Sequence, residues 1–171
     1  MQFNVSSLLR EHTGAVREYD IDDDLVVDGQ RHHARGHTRF DRTPRGVLVR
    51  ATLDGTASAD CSRCLKPITY DVNITIEEEY FPTIDIDSGA KFELAEGEDL
   101  EAYRIDVRHF IDLSMTAAEY WAIAQPMAPV CDEACRGLCP DCGAELSAGE
   151  HACAADGGDA RWSKLANLKL G

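Results

Sequence analysis

The sequence predicts an α+β fold: an antiparallel β-rich body, a following amphipathic helix and a small C-terminal Cys-rich module. Three observations predict it. Residues 68–76 alternate cleanly, with Ile68, Tyr70, Val72, Ile74 and Ile76 on one face and Asp71, Asn73 and Thr75 on the other. A strand with one wet face has this period. After Asp106 the apolar period changes to three and four, through Val107, Phe110, Ile111, Met115 and Ala118, which is helical spacing. Five cysteines then crowd the last quarter, four of them within twelve residues in the run CDEACRGLCPDCG.

Taken in order, Phe3, Val5, Leu8 and Leu9 predict a short strand turning into a helix, with Ser6 or Ser7 as its cap, and Gly14 breaks the pattern. Residues 17–28 alternate loosely through an acidic run. Ala34 to Phe40 reads as a strand with an exposed face, Thr43-Pro44-Arg45-Gly46 as a turn, and Val47 to Leu53 as the next strand. The strand over 68–76 follows. Residues 82–104 form an acidic, Gly-containing stretch that reads as a long loop. The helix after Asp106 is stopped by Gln125-Pro126 and Ala128-Pro129, because the residue before a proline avoids helical backbone. At the end, Trp162, Leu165, Ala166 and Lys169 fall on one helical stripe with Asp159 as its cap. These signals divide the chain into a β-rich main domain, 1–126, and a Cys-rich module with a terminal helix, 127–171.

Charge is unevenly placed. The net charge is −14. Residues 1–50 balance eight acids with eight bases, whereas residues 71–106 hold twelve acids against Lys91 and Arg104. Residues 131–159 hold seven acids against Arg136. So negative a field repels phosphate and disfavours broad nucleic-acid binding; it suits basic protein partners, and equally it maintains solubility. Any RNA contact is then local, through Arg31, Arg35, Arg39, Arg42, Arg45 and Arg50 or the basic tail. No signal peptide is visible in MQFNVSSLLREHTG, and no apolar run reaches the roughly eighteen residues of a membrane span. A cytoplasmic protein with reduced thiols is expected, and there Cys clusters more often hold metal than form disulfides.

The cysteines carry the chemistry. Cys139-Pro140-Asp141-Cys142-Gly143 has the form of a zinc knuckle, in which a tight turn lets two thiolates converge on one tetrahedral ion. Cys131 and Cys135 precede it at short spacing, and Cys153 and His151 follow. Six candidates therefore compete for four positions, around a structural zinc. A second pair, Cys61 and Cys64 in CSRCL, has three readings. It is a second knuckle that completes a ribbon with Cys139 and Cys142, a redox dithiol tuned by Arg63, or a hairpin corner with two buried thiols. His32, His33 and His37 lie close together, but a solvated strand explains them without a metal. Phosphate loop, HExxH and GxSxG are all absent from the sequence, and the acidic runs lack the spacing of an octahedral site, so a non-enzymatic protein is expected.

The order of four segments adds a resemblance: FNVSSLLREHTGAVREYD, CSRCLKPI, CDEACRGLCPDCGAEL and DARWSKLANLKL. Together they resemble the YceD family, also called domain of unknown function 177, the large ribosomal RNA subunit accumulation proteins. The resemblance implies a role in accumulation or processing of 23S ribosomal RNA during large-subunit assembly. It implies partners in a large-subunit precursor or a basic ribosomal protein, with no membrane and no small-molecule substrate. His151 and Cys153 stand where family members often carry a CxC-like ending. A thiol or zinc sensor built on Cys61 and Cys64 is the alternative.

Overall fold

The computed structural model describes residues 1–92, 103–146, 149 and 151–153. The chain divides into two compact units. The first comprises Met1–Ala57 and Thr69–Pro126, and the second comprises Ser58–Ile68 and the chain from Met127 onward. Among the described residues no helix is long and apolar enough to cross a membrane.

The first unit opens with β1 (Gln2–Asn4) and the single-turn α1 (Ser6–Leu9). The N-cap position is Val5, without a side-chain cap, and not a serine; Asn4 Oδ1 just before it accepts from the Ser6 amide at 3.1 Å and from the Ser6 hydroxyl at 2.6 Å. Four long strands follow: β2 (Val16–Val27), β3 (Gln30–Arg42), β4 (Val47–Asp60) and β5 (Pro67–Pro82). With the two-residue β6 (Arg104–Ile105) they form one sheet in the order β2-β3-β4-β5-β6. The pairs β2/β3 and β3/β4 are antiparallel, while β6 joins β5 in parallel, an exception to the antiparallel expectation. β4 and β5 are longer than the alternation at 47–53 and 68–76 suggests, and residues 58–68, at their junction, belong to the second unit.

One face of these strands is the core. Ile21, Leu25, Phe40, Val49, Leu53, Val72, Ile74, Ile76 and Tyr80 are buried in period-two order, and α2 (Ser114–Ala124) adds Ala117 and Trp121. Phe3, Tyr19 and Phe40 form an aromatic triad with ring centroids 5.1–5.4 Å apart. Gly55 is required by close approach, since a Cβ there would lie 2.6 Å from the Trp121 ring.

The other face of β2 and β3 is a ladder of opposite charges. Glu18, Asp20, Asp22 and Asp24 stand directly across from Arg39, His37, Arg35 and His33. Asp41 bridges Arg39 and Arg50, accepting from each at 2.9 Å. The acidic run at 20–24 is therefore a strand whose outward positions find cationic or polar partners. His33 and His37 lie on this exposed face, whereas His32 is buried against Trp121, with centroids 5.6 Å apart.

The helix after Asp106 begins later than its apolar spacing predicts. Asp106 Oδ1 accepts the amides of Arg108 and Phe110 at 2.8 and 2.7 Å, closing a turn with His109 at φ 64°. Phe110–Asp112 then forms β7, which pairs with β1 in a separate two-stranded sheet. The helix starts at Ser114, buries Thr116, Ala117 and Trp121, and leaves Met115 and Ile123 exposed. It ends before Pro126, with Gln125 already extended. The terminal stripe through Trp162 and Leu165, and residues 93–102 of the acidic stretch, lie outside the described residues.

Candidate functional site

The sequence places Cys61-Ser62-Arg63-Cys64-Leu65-Lys66 between β4 and β5, where Pro67 begins the next strand. The Leu65 amide donates to the Cys61 carbonyl at 2.9 Å, and the Cys61 amide donates to the Lys66 carbonyl at 2.8 Å. The segment Cys139–Ala144 repeats both bonds: Gly143 to Cys139 at 2.9 Å and Cys139 to Ala144 at 2.8 Å. Gly143 has φ 72°, the left-handed backbone in which glycine is relaxed, and Leu65 adopts the same region at φ 60°. CSRCL and CPDCG are thus the same turn. Each directs two sulfurs to one side.

The chain from Met127 supplies the remaining donors. The Ser62 amide donates to the Pro129 carbonyl at 2.8 Å, and the Cys131 amide donates to Cys61 Sγ at 3.4 Å. Arg63 Nη1 donates to the carbonyls of Glu133 and Cys135 at 2.9 and 2.8 Å. Cys61, Cys64, Cys131 and Cys135 come together as a result, with Cys61 Sγ 4.0 Å from Cys135 Sγ and Cys64 Sγ 3.6 Å from Cys131 Sγ. Two thiolates on one tetrahedral ion with ~2.3 Å bonds are about 3.8 Å apart. The second knuckle gathers a separate set, Cys139, Cys142, His151 and Cys153, with Cys142 Sγ 3.1 Å from His151 Nε2. Within each set the ligand atoms lie within 4.8 Å of one another.

All five cysteines named from the 131–153 region therefore fall at candidate metal positions, in two groups instead of one. Cys131 and Cys135 lie with Cys61 and Cys64, in a different set from Cys139. The ribbon pairing Cys61 and Cys64 with Cys139 and Cys142 is not formed. The repeated CxxC spacing marks both knuckles in the sequence, but it carries no information on which further donors each one meets.

Thiol acidity follows the geometry. Cys61 is lowered to about 6, first by the Cys64 amide and further by those of Cys131 and Arg63. Cys139 is lowered to about 7, chiefly by the Cys142 and Asp141 amides. Amides aimed at sulfur favour the thiolate. Neighbours that share a set rise: Cys131 to about 12 beside Cys135, and Cys153 to about 12 beside Cys142. Four donors crowded so closely cannot all ionise unaided, and a bound dication removes that penalty while releasing protons. Soft sulfur and imidazole donors at this spacing fit zinc.

Residues 49–169 match the family described as large ribosomal RNA subunit accumulation protein YceD, a span that includes both knuckles. The chain belongs to the YceD family. Its relatives include uncharacterized proteins of Mycobacterium bovis and Mycobacterium tuberculosis, each 31% identical over 131 residues, which is 76% of this chain and 59% of theirs. A Mycobacterium leprae protein, also uncharacterized, is 29% identical over 76% of this chain and 56% of its own length. The chain thus spans under two thirds of the length of these relatives. No solved structure matches it.

Proposed function

We propose that this protein is a non-enzymatic, cytoplasmic ribosome biogenesis factor that supports 23S ribosomal RNA accumulation and large-subunit assembly. The observation that carries the reading is the family match over residues 49–169. Zinc, in this reading, is structural: it holds the Cys-rich unit in shape and performs no chemistry on a substrate.

Charge placement supports a basic ribosomal protein, or a preribosomal particle presenting one, as the partner. Five of the six arginines named for a local RNA contact already have partners within the fold. Arg35 faces Asp22 at 3.3 Å, Arg39 and Arg50 share Asp41, Arg42 donates to the carbonyls of Leu9 and Gly46, and Arg45 stacks on Phe81. Several acids of the 71–106 segment also serve the fold. Glu78 accepts from Tyr120 at 2.7 Å, Glu79 from Thr43 at 2.6 Å, and Asp85 from Ser88. We assign partner binding to the acidic 71–106 segment as a whole, in which Asp71 is exposed and residues 93–102 lie outside the described residues. The redox-sensor reading of Cys61 and Cys64 has less support, because their sulfurs share a cluster with Cys131 and Cys135.

Depletion followed by sucrose-gradient sedimentation tests the function. Loss of large subunits and of mature 23S RNA is expected; unchanged levels of both would overturn the reading. Reversing Asp71 together with the five acids at 93–101 to lysine should reproduce the defect, with the circular dichroism of the purified variant as the check on its folding.

A further inference from the structure

We infer that each chain binds two zinc ions in separate centres of different composition: a closed Cys61/Cys64/Cys131/Cys135 site and an open Cys139/Cys142/His151/Cys153 site. This deepens the structural-zinc reading above and rests on it.

The ligand-presenting turn occurs twice. A left-handed leucine is costly by roughly 1–2 kcal/mol, and Leu65 is 65% exposed, so burial of its side chain offers little return. What the conformation achieves is the same chain reversal that Gly143 permits, with the same two backbone bonds and the same amide-to-sulfur polarity. Two copies of a ligand-presenting turn, each meeting two further donors, make two sites. One tetrahedral ion cannot use eight donors.

The centres differ in exposure. Cys61, Cys64 and Cys135 are buried and only Cys131 reaches solvent, whereas Cys139 alone is buried in the other set. Cys61, Cys64 and Cys135 also form the apolar centre of their unit, with Ile68, Val130 and Leu138 packed against them. The all-thiolate centre is therefore tied to the interior, and Arg63 secures two carbonyls of the segment that carries Cys131 and Cys135. In the second centre two donors, His151 and Cys153, come from one short segment beyond the knuckle, and water and chelators reach three of its four positions. Zinc leaves the His-containing centre first.

Native mass spectrometry of the full chain, purified with zinc and titrated with a chelator, tests this. Two zinc ions per chain are expected, lost in two steps. His151→Ala or Cys153→Ser should leave one ion, with Cys61, Cys64, Cys131 and Cys135 still protected from alkylation. Cobalt in place of zinc should give an all-sulfur spectrum in these variants and a mixed one in the parent. One ion in the parent, or a single-step loss in which both cysteine sets become reactive together, overturns the two-centre inference and leaves a structural zinc standing. No zinc under any loading overturns both.

Discussion

Trp121 and Cys61 are both wholly buried, yet they sit in interiors built from different materials. Around Trp121 the first unit packs aliphatic and aromatic side chains from β2 to β5, β6, β7 and both helices into one continuous core. Around Cys61 the second unit has Cys64 and Cys135, with Ile68, Val130 and Leu138 only partly covered. Among its described residues the second unit buries little carbon, and small cores of that kind are where metals substitute for apolar burial. The first unit is held by carbon, and on the proposal above the second is held by sulfur and bound metal.

The largest effect expected from this contrast is that of Cys61→Ser. Structural zinc contributes about 10 kcal/mol or more to small sites, so its loss should open residues 58–68 and 127–153 to hydrogen exchange. Protection of the first unit's strands should persist. Next comes Trp121→Ala, which should cost the first unit about 3–5 kcal/mol by denaturant titration without changing metal content. If it also released metal, the two interiors would be one.

High pH sharpens the same point. Burial raises Tyr80 to about 12, with its hydroxyl 2.8 Å from Thr116. Its folded value lies above the ordinary 10, so the neutral form is favoured in the folded chain. The stability is full below pH 10 and lost as pH rises toward 12, by about 2 kcal/mol. Tyr80→Phe should flatten part of that slope, the rest coming from groups such as Tyr120, which Glu78 raises to about 12. The smallest effects separate the two knuckles. Gly143→Ala should loosen the open centre by about 1 kcal/mol, whereas Leu65→Gly should tighten the closed one by up to about 1 kcal/mol, read as opposite shifts in metal release rates.

The body was legible where local pattern and burial coincide. Ile68 to Ile76 reads as a strand because its period of two is the same one that buries Val72, Ile74 and Ile76. Asp20 to Asp24 is harder to read, since its strand character depends on cationic and polar partners across the ladder, some of them seventeen residues away. The helix start was displaced because Val107, Phe110 and Ile111 carry helical spacing by coincidence, and the Asp106 side chain diverts the backbone into a turn. Cys139 and Cys142 were readable from their own turn. Their division from Cys131 and Cys135 was not, because it depends on contacts 67–74 residues apart that only the folded unit makes.

The most direct measurement is a set of amide correlation spectra of the zinc-loaded chain before and after chelation. Resonances of 58–68 and 127–153 should collapse to unfolded positions while those of the first unit's strands keep their shifts. Unchanged spectra, or simultaneous collapse of both sets, would contradict the account.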